Sequence, residues 1–416
     1  MTYSTLPPQD YLRTLGAIRD RCYQVYEKAQ NGQLCYFEVD ESKLGAAVDH
    51  VAELTRRRFS DLNSIPPHSR LRHFDETFGE WRQKAQQRND NVEFARKLVD
   101  IVVVSVLLDA GAGQEWKYTT HYGKKVGRSE GLAIASVDMF LGGYFSSDDT
   151  DRVDAQGLEE ISVERMAQGF QVTTSNPMVG LEGRSQLLGR LATVLREQKE
   201  YFPPSNGLPS RPGNIIDYLL KDNAADKALP IEKLWKAVMS LGGIWPARIE
   251  IDGVQLGDVW PCDCLDATNE YANLVPFHKL SQWLTYSLIE AIEISLGLKI
   301  EGVDQMTGLP EYRNGGLLID YGILKIKPEH IERGGGSETK LPTFEGKDPL
   351  IVEWRALTVV YLDKIHKELE KKLNQKLRLA QVLESGTWTA GREIAAKLRP
   401  ETAGPPIVIQ SDGTIF

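Results

Sequence analysis

The 416-residue sequence predicts a mainly α protein with a few β-hairpins (α+β), and three observations lead there. Apolar residues recur at helical spacing along most of the chain, strand-like alternation is confined to three short stretches, and strand and helix patterns do not alternate as they would in a parallel sheet. The composition, 41% hydrophobic and 26% charged, is that of a folded globular chain long enough to bury a substantial core.

The elements can be taken in order. "DYLRTLGAIRDRCYQVYEKA" (10–29) places Leu12, Leu15, Ile18, Cys22, Val25 and Tyr26 on one stripe, with Gly32 placed to end the helix. Similar stripes recur at 42–58, 80–89, 91–108, 129–141, 178–200, 230–241, 277–296 and 350–384. The stretch 91–113 becomes apolar on nearly every side, which predicts a central buried helix. Hairpins are predicted in "ARIEIDGVQLGDVW" (247–260) around Asp252 and Gly253, and in "PIVIQSDGTIF" (406–416) around Asp412 and Gly413; "LCYFEVD" (34–40) reads as a further strand. Two punctuated stretches, 201–213 and 332–349, mark breaks, the second reading as a mobile surface loop. Motifs fall on both sides of each break. They predict a single large domain, 1–416, built of two lobes (1–200 and 214–416) that share a cleft.

The totals exclude several classes of function. With 49 basic against 58 acidic residues the net charge is -9, which opposes binding to nucleic acid or to an anionic membrane. No run approaches the ~18 apolar residues of a membrane span and no secretory leader is visible, so a cytoplasmic protein is expected. Four cysteines, Cys22, Cys35, Cys262 and Cys264, do not make a disulfide framework for this length. The seven histidines have no paired spacing and Cys262 and Cys264 lack a second pair, so no metal is expected. The phosphate-binding loop, dinucleotide fingerprint and nucleophile elbow are all missing, so no cofactor is expected either. Carboxylate chemistry with basic and aromatic support remains.

Five segments could carry it. In "GRSEGLAIAS" (127–136), Ser129 is an N-cap candidate with Arg128 beside it and Glu130 behind, an arrangement suited to a small anion; a capped helix with a solvated basic loop accounts for the same residues. "VPFHKLSQWLTYSLIE" (275–290) opens a helix after Pro276, on which Lys279, Gln282 and Trp283 can share a face with Tyr286. "GLPEYRNGGLLID" (308–320) looks too short and glycine-rich for a helix, and sets Glu311, Tyr312 and Arg313 on a tight loop ahead of Asp320. A stapled turn with Glu311 paired to a basic group is the alternative. Finally, Trp388 and Arg392 stand at another helix start, and Glu353 and Arg355, two apart on a helix, must find different partners.

Six blocks, "GRSEGLAIAS", "LPSRPGNIIDYLL", "GDVWPC", "VPFHKLSQWLTYSLIE", "GLPEYRNGGLLIDYGIL" and the stretch from "ESGTWTAGREIA" to the C-terminus, resemble the uracil catabolism protein 4 family of fungi and bacteria over nearly the whole chain. That resemblance implies a place in a pathway that opens the pyrimidine ring while it is attached to ribose phosphate, leaving a ribosylurea-type intermediate. "GRSEGLAIA", "HKLSQWL", "LPEYRNGGLLIDYGIL" and "EWRAL" occur in an order similar to that of the queuosine salvage family, nucleotide N-glycosidases whose fold is related to the helical DNA glycosylases, in which an Asp-Tyr-Arg run carries the key acid. Mapped by motif, that acid falls on Glu311, a Glu where the family has Asp.

The resemblances imply a hydrolytic N-glycosidase that converts a phosphorylated ribosylurea to ribose 5-phosphate and urea. A carboxylate at 311 would face the oxocarbenium-like transition state and activate water. Asp320 or Glu130 would protonate the leaving nitrogen. Lys279, Arg313 and Arg128 would hold the 5-phosphate, and Trp283, Trp388 or Tyr312 would flank the ring or ureido group. Ser129, His278, Gln282 and Arg392 complete the expected substrate contacts. A ureido amidohydrolase of the same pathway, or a binding subunit that channels the intermediate, are the alternatives.

Overall fold

A computed structural model describes residues 6–205, 207–221, 228–245, 248–268, 270–337 and 340–410. In chain order the longer helices are α1 (Leu15–Gln30), α2 (Leu44–Arg58), α3 (Glu76–Arg88), α4 (Asn91–Leu107), α5 (Arg128–Leu141), α6 (Leu181–Glu197), α7 (Ile231–Ser240), α8 (Lys279–Leu296), α9 (Tyr312–Asp320), α10 (Pro349–Leu373) and α11 (Trp388–Leu398). The strands are two or three residues long and pair only in twos, so the protein is mainly α with a few short strands. Among the described residues, no helix is long and apolar enough to cross a membrane.

The caps explain most boundaries. Thr14 starts α1 by accepting from the Ala17 amide, Asp90 starts α4 by accepting from Glu93, and Asp348 precedes Pro349 at the first position of α10. Asn374, in the left-handed conformation, ends α10 well before residue 384, where the periodicity had suggested it would continue. The chain there re-forms as a short helix, Leu379–Val382, then a π-helical turn, Leu383–Thr387, that leads into α11.

The chain divides into two compact units. The first comprises 1–68, 247–282 and 303–416; the second comprises 69–246 and 283–302. The 201–213 stretch therefore lies inside the second unit, and the chain passes between units within α8.

In the first unit α10 is the central element, buried almost continuously from Leu350 to Leu362, with Val25 and Ala47, Val48 and Val51 of α1 and α2 and Leu317 of α9 in the same apolar core. Two of its buried charged residues, Glu353 and Arg355, find different partners, as their spacing requires. The Glu353 carboxylate accepts from the amides of Cys35, Tyr36 and Phe37 at 2.9, 2.9 and 3.0 Å, fixing the strand Phe37–Val39 that pairs with Leu324–Ile326. Arg355 makes a two-pronged ion pair with Asp258 at 2.8 and 2.7 Å and lies over the Phe277 ring at 4.1 Å. The predicted hairpin forms at Glu250–Ile251 and Val254–Gln255, with Asp252 and Gly253 both at positive φ, as its tight turn demands.

In the second unit α4 is the buried rod that the apolar run predicts, every residue from Leu98 to Leu107 being buried. Asp100 sits inside it, its carboxylate satisfied by Arg211 and by the Val153 and Gly213 amides.

Two expectations are corrected. The stretch 332–349 is not only a loop: Thr343–Glu345 is a strand, paired in parallel with Val408–Gln410. Val408–Gln410 is the first arm of the hairpin expected at the C-terminus, whose turn at 412–413 and second arm lie outside the described residues. Residues 312–320 form helix α9 rather than a loop. Its glycines serve packing: a Cβ on Gly315 would come within 2.8 Å of the Trp354 ring, whose Nε1 donates to the Gly315 carbonyl at 3.1 Å.

Candidate active site

Glu311 is the N-cap of α9. Its side chain turns back so that Oε2 accepts from the Arg313 amide at 2.7 Å and Oε1 from the Asn314 amide at 2.6 Å. A carboxylate offers about four acceptor positions, so two remain for a ligand or water. Burial pushes the carboxyl above its ordinary value, outweighing the two amides and the nearby charges of Lys279 and Arg313, which all favour the anion. As the anion, a carboxylate raised in this way is a stronger base toward water than an exposed one.

The segments around it are locked in place. Gln282, fully buried, exchanges hydrogen bonds with Thr307, accepting from its amide at 2.9 Å and donating to its hydroxyl at 2.8 Å; it also donates to the Phe277 carbonyl. This ties the first turn of α8 to the Gly308-Leu309-Pro310 approach to Glu311. Gln282 is thus a positioning residue, not the substrate contact expected. The Lys279 amide donates to Asp258, so the Asp258–Arg355 pair also anchors the start of α8. The Arg355 guanidinium holds the Asp258 carboxyl far below the usual carboxylate range, although burial opposes this.

His278 adopts a left-handed φ of 46° and is buried, with Nε2 2.8 Å from the Leu12 carbonyl, and burial lowers its proton affinity. It serves the backbone turn into α8 rather than a ligand. The Arg313 guanidinium lies over the Tyr312 ring at 5.1 Å and donates to the Ala403 carbonyl at 2.6 Å. Helix α11 crosses α9 closely here, since a Cβ on Gly391 would stand 2.2 Å from the Arg313 carbonyl oxygen. The next residue, Arg392, is exposed and stacks on Trp388 at 4.9 Å. Lys279, Glu311, Tyr312, Arg313, Trp388 and Arg392 all lie in the first unit, in the first turns of helices or at their N-caps, and the charges of Lys279 and Arg313 act on Glu311.

Asp320 stands apart. It lies at the C-terminal end of α9, ~13 Å along the helix from Glu311, in a two-pronged ion pair with Arg399 at 2.9 and 2.6 Å. A carboxylate spent on that pair is not the expected proton donor.

The GRSEG residues form a network of their own in the second unit. Ser129 is not the N-cap of α5; Gly127 holds that position, and Ser129, one residue into the helix, donates to both oxygens of Asp109 at 2.8 and 2.9 Å. Fully buried Arg70 supports both, donating to Ser129 at 2.9 Å and pairing with Asp109 at 2.8 Å, while the charge of Glu130 acts on Arg70. Arg128 is exposed at a left-handed φ of 57°. Trp283 faces His73 with ring centroids 6.2 Å apart, also in the second unit.

Sequence reasoning missed Asn314 and the partnership of Asp258 with Arg355. A glutamate is an uncommon N-cap, which hid the start of α9 and with it Asn314; Asp258 stood in plain view in "GDVWPC", but its partner is 97 residues away.

Residues 11–416 match the family described as "Protein of unknown function (DUF1688)". The chain belongs to the DUF1688 family. It is 40% identical to "Uracil catabolism protein 4" of Lachancea kluyveri, over 98% of this chain and 99% of that protein. It is 39% identical to "Protein urg3" of Schizosaccharomyces pombe, over 97% of this chain and 98% of that protein. For this DUF1688 chain the likeness covers both units and every segment named above.

Proposed function

We propose that this protein acts in uracil catabolism as a hydrolytic N-glycosidase, cleaving a phosphorylated ribosylurea to ribose 5-phosphate and urea. The observation that carries the reading is the enclosed Glu311 carboxyl, aimed by two helix amides, raised in proton affinity by burial, and set among the charges of Lys279 and Arg313. The near full-length likeness to a protein named for uracil catabolism supports the pathway.

In this reaction water attacks the anomeric carbon as the bond to the urea nitrogen breaks. Glu311 takes a proton from that water and its charge offsets the positive charge that develops on the sugar. Lys279 and Arg313 hold the 5-phosphate, and Tyr312 and Trp388 supply aromatic faces for the sugar and ureido group. The departing nitrogen takes its proton from solvent water, Asp320 being committed to Arg399, and Glu311 then releases the proton it took up, so that one water is consumed for each bond cleaved.

Incubation with N-ribosylurea 5-phosphate and analysis of the products tests the proposal. Ribose 5-phosphate and urea in equal amounts are expected, with turnover reduced by orders of magnitude in Glu311→Gln and binding nearly retained. Ammonia with carbon dioxide would identify an amidohydrolase, and tight binding without turnover a carrier of the intermediate.

A further inference from the structure

Among the buried polar atoms of the first unit that have no hydrogen-bond partner, Asn314 Oδ1 and the Thr387 hydroxyl belong to elements that meet at the crossing of α9 and α11. Asn314 is 2% exposed; its amide nitrogen donates to the Leu309 carbonyl at 3.1 Å, which fixes the orientation of the side chain and leaves Oδ1 unpaired. Thr387, fully buried at the end of the π-helical turn, has an unpaired hydroxyl. Residues four apart share a helix face, so Thr387 lies one turn before Gly391 on the face of α11 that meets Arg313, the neighbour of Asn314. Sealing a donor or an acceptor away from water without a partner is unfavourable, and native proteins keep such atoms where a ligand or ordered water completes them. π-Turns inserted between helices gather at functional sites for related reasons.

We infer that Asn314 and Thr387 form the recognition pair for the leaving group, Asn314 Oδ1 accepting an N–H and the Thr387 hydroxyl donating to a carbonyl, so that the site selects a planar –NH–CO– group such as a ureide. This rests on the proposed hydrolase reading and adds its specificity. An acceptor and a donor on facing helices match the two edges of a ureide, whereas a sugar phosphate alone offers no N–H to Asn314. The backbone amide of Asn314 also donates to the Glu311 carboxylate, so recognition of the leaving group and positioning of the carboxylate share one helical turn.

The test is calorimetric binding in the Glu311→Gln background, where ligand is not consumed, with N-ribosylurea 5-phosphate and ribose 5-phosphate as probes. Thr387→Val, which preserves shape, and Asn314→Ala should each weaken ribosylurea phosphate binding by about tenfold, the loss of one hydrogen bond, and leave ribose 5-phosphate within about twofold. Thr387→Val alone decides the matter if Asn314→Ala fails to fold. Equal weakening for both probes, no weakening for either, or a crystal structure of the liganded protein with a water bridging the two atoms would overturn the inference while the hydrolase reading stands. Failure of the Glu311→Gln protein itself to bind ribosylurea phosphate would overturn both.

Discussion

Glu311 meets two opposed demands: its carboxylate is wanted as an anion by two amides and two cations, and as a neutral acid by its buried surroundings. Burial wins, so kcat/KM should rise with pH along a limb whose midpoint lies above 4.5, the ordinary value for this group. A pH–rate profile that is flat above pH 4.5 would count against Glu311 as the base. Lys279→Met removes a charge that favours the anion, so the same limb should move to higher pH. Phosphate binding should weaken as well, while the binding of unphosphorylated ribosylurea stays nearly unchanged. Folding is linked to the same titration with the sign fixed by the upward shift. The contribution of this carboxyl is complete below 4.5 and is lost as pH rises through its folded-state value, so the stability of the native protein relative to Glu311→Gln should fall over that interval in denaturant titrations. The Asp258–Arg355 pair makes a simpler demand. Asp258→Asn leaves a guanidinium with 2% exposure beside a neutral amide, a change that costs ~3–5 kcal/mol when a buried pair is broken. Denaturant unfolding should show a loss of that order, and activity should fall with it because Asp258 anchors the start of α8.

At the scale of single elements, the close seat of α9 against α10 and α11 decides where Glu311 points. Gly315 and Gly391 each stand where a Cβ would overlap a neighbour, at 2.8 Å from Trp354 and 2.2 Å from the Arg313 carbonyl, whereas Gly242 has nothing within 4 Å. Gly315→Ala and Gly391→Ala should therefore destabilise by ~1–3 kcal/mol through overpacking, with turnover lost beyond what thermal unfolding midpoints explain. Gly242→Ala should be neutral in both measurements. The same glycines show why the sequence misled at this one place. Gly315 and Gly316 cost helix propensity, and read along the chain they look like breakers; their use is visible only once Trp354, 39 residues later, is folded against them. Helix α4 was legible because its evidence is local, an apolar run from Leu98 to Leu107 broken only by Asp100 and Ser105. The site was legible in part for the same reason. Glu311, Tyr312 and Arg313 are adjacent in sequence, but the ion pairs that exclude Asp320 and anchor Lys279 join residues 79 and 97 apart.

Across the whole molecule, the chain enters and leaves each unit more than once, so neither unit is a continuous segment. The second unit depends on a return visit. Segment 283–302 supplies Ser287, whose hydroxyl accepts from the Arg70 amide, Glu290, which pairs with Arg72, and the strand Lys299–Glu301 that pairs in parallel with Ala228–Pro230. It also brings the buried side chains of Leu284, Leu288, Ile289 and Ile292, whose transfer from water is worth ~1.5–3 kcal/mol each and together rivals the net stability of a typical domain. A fragment of residues 69–246 should accordingly show helical circular dichroism without a cooperative unfolding transition. Adding a peptide of residues 283–302 in trans should restore the transition, and Glu290→Ala in that peptide should weaken the rescue by exposing Arg72 to a missing partner. A fragment of 69–246 that unfolds cooperatively without the peptide would show that the returning segment is dispensable for folding of the second unit.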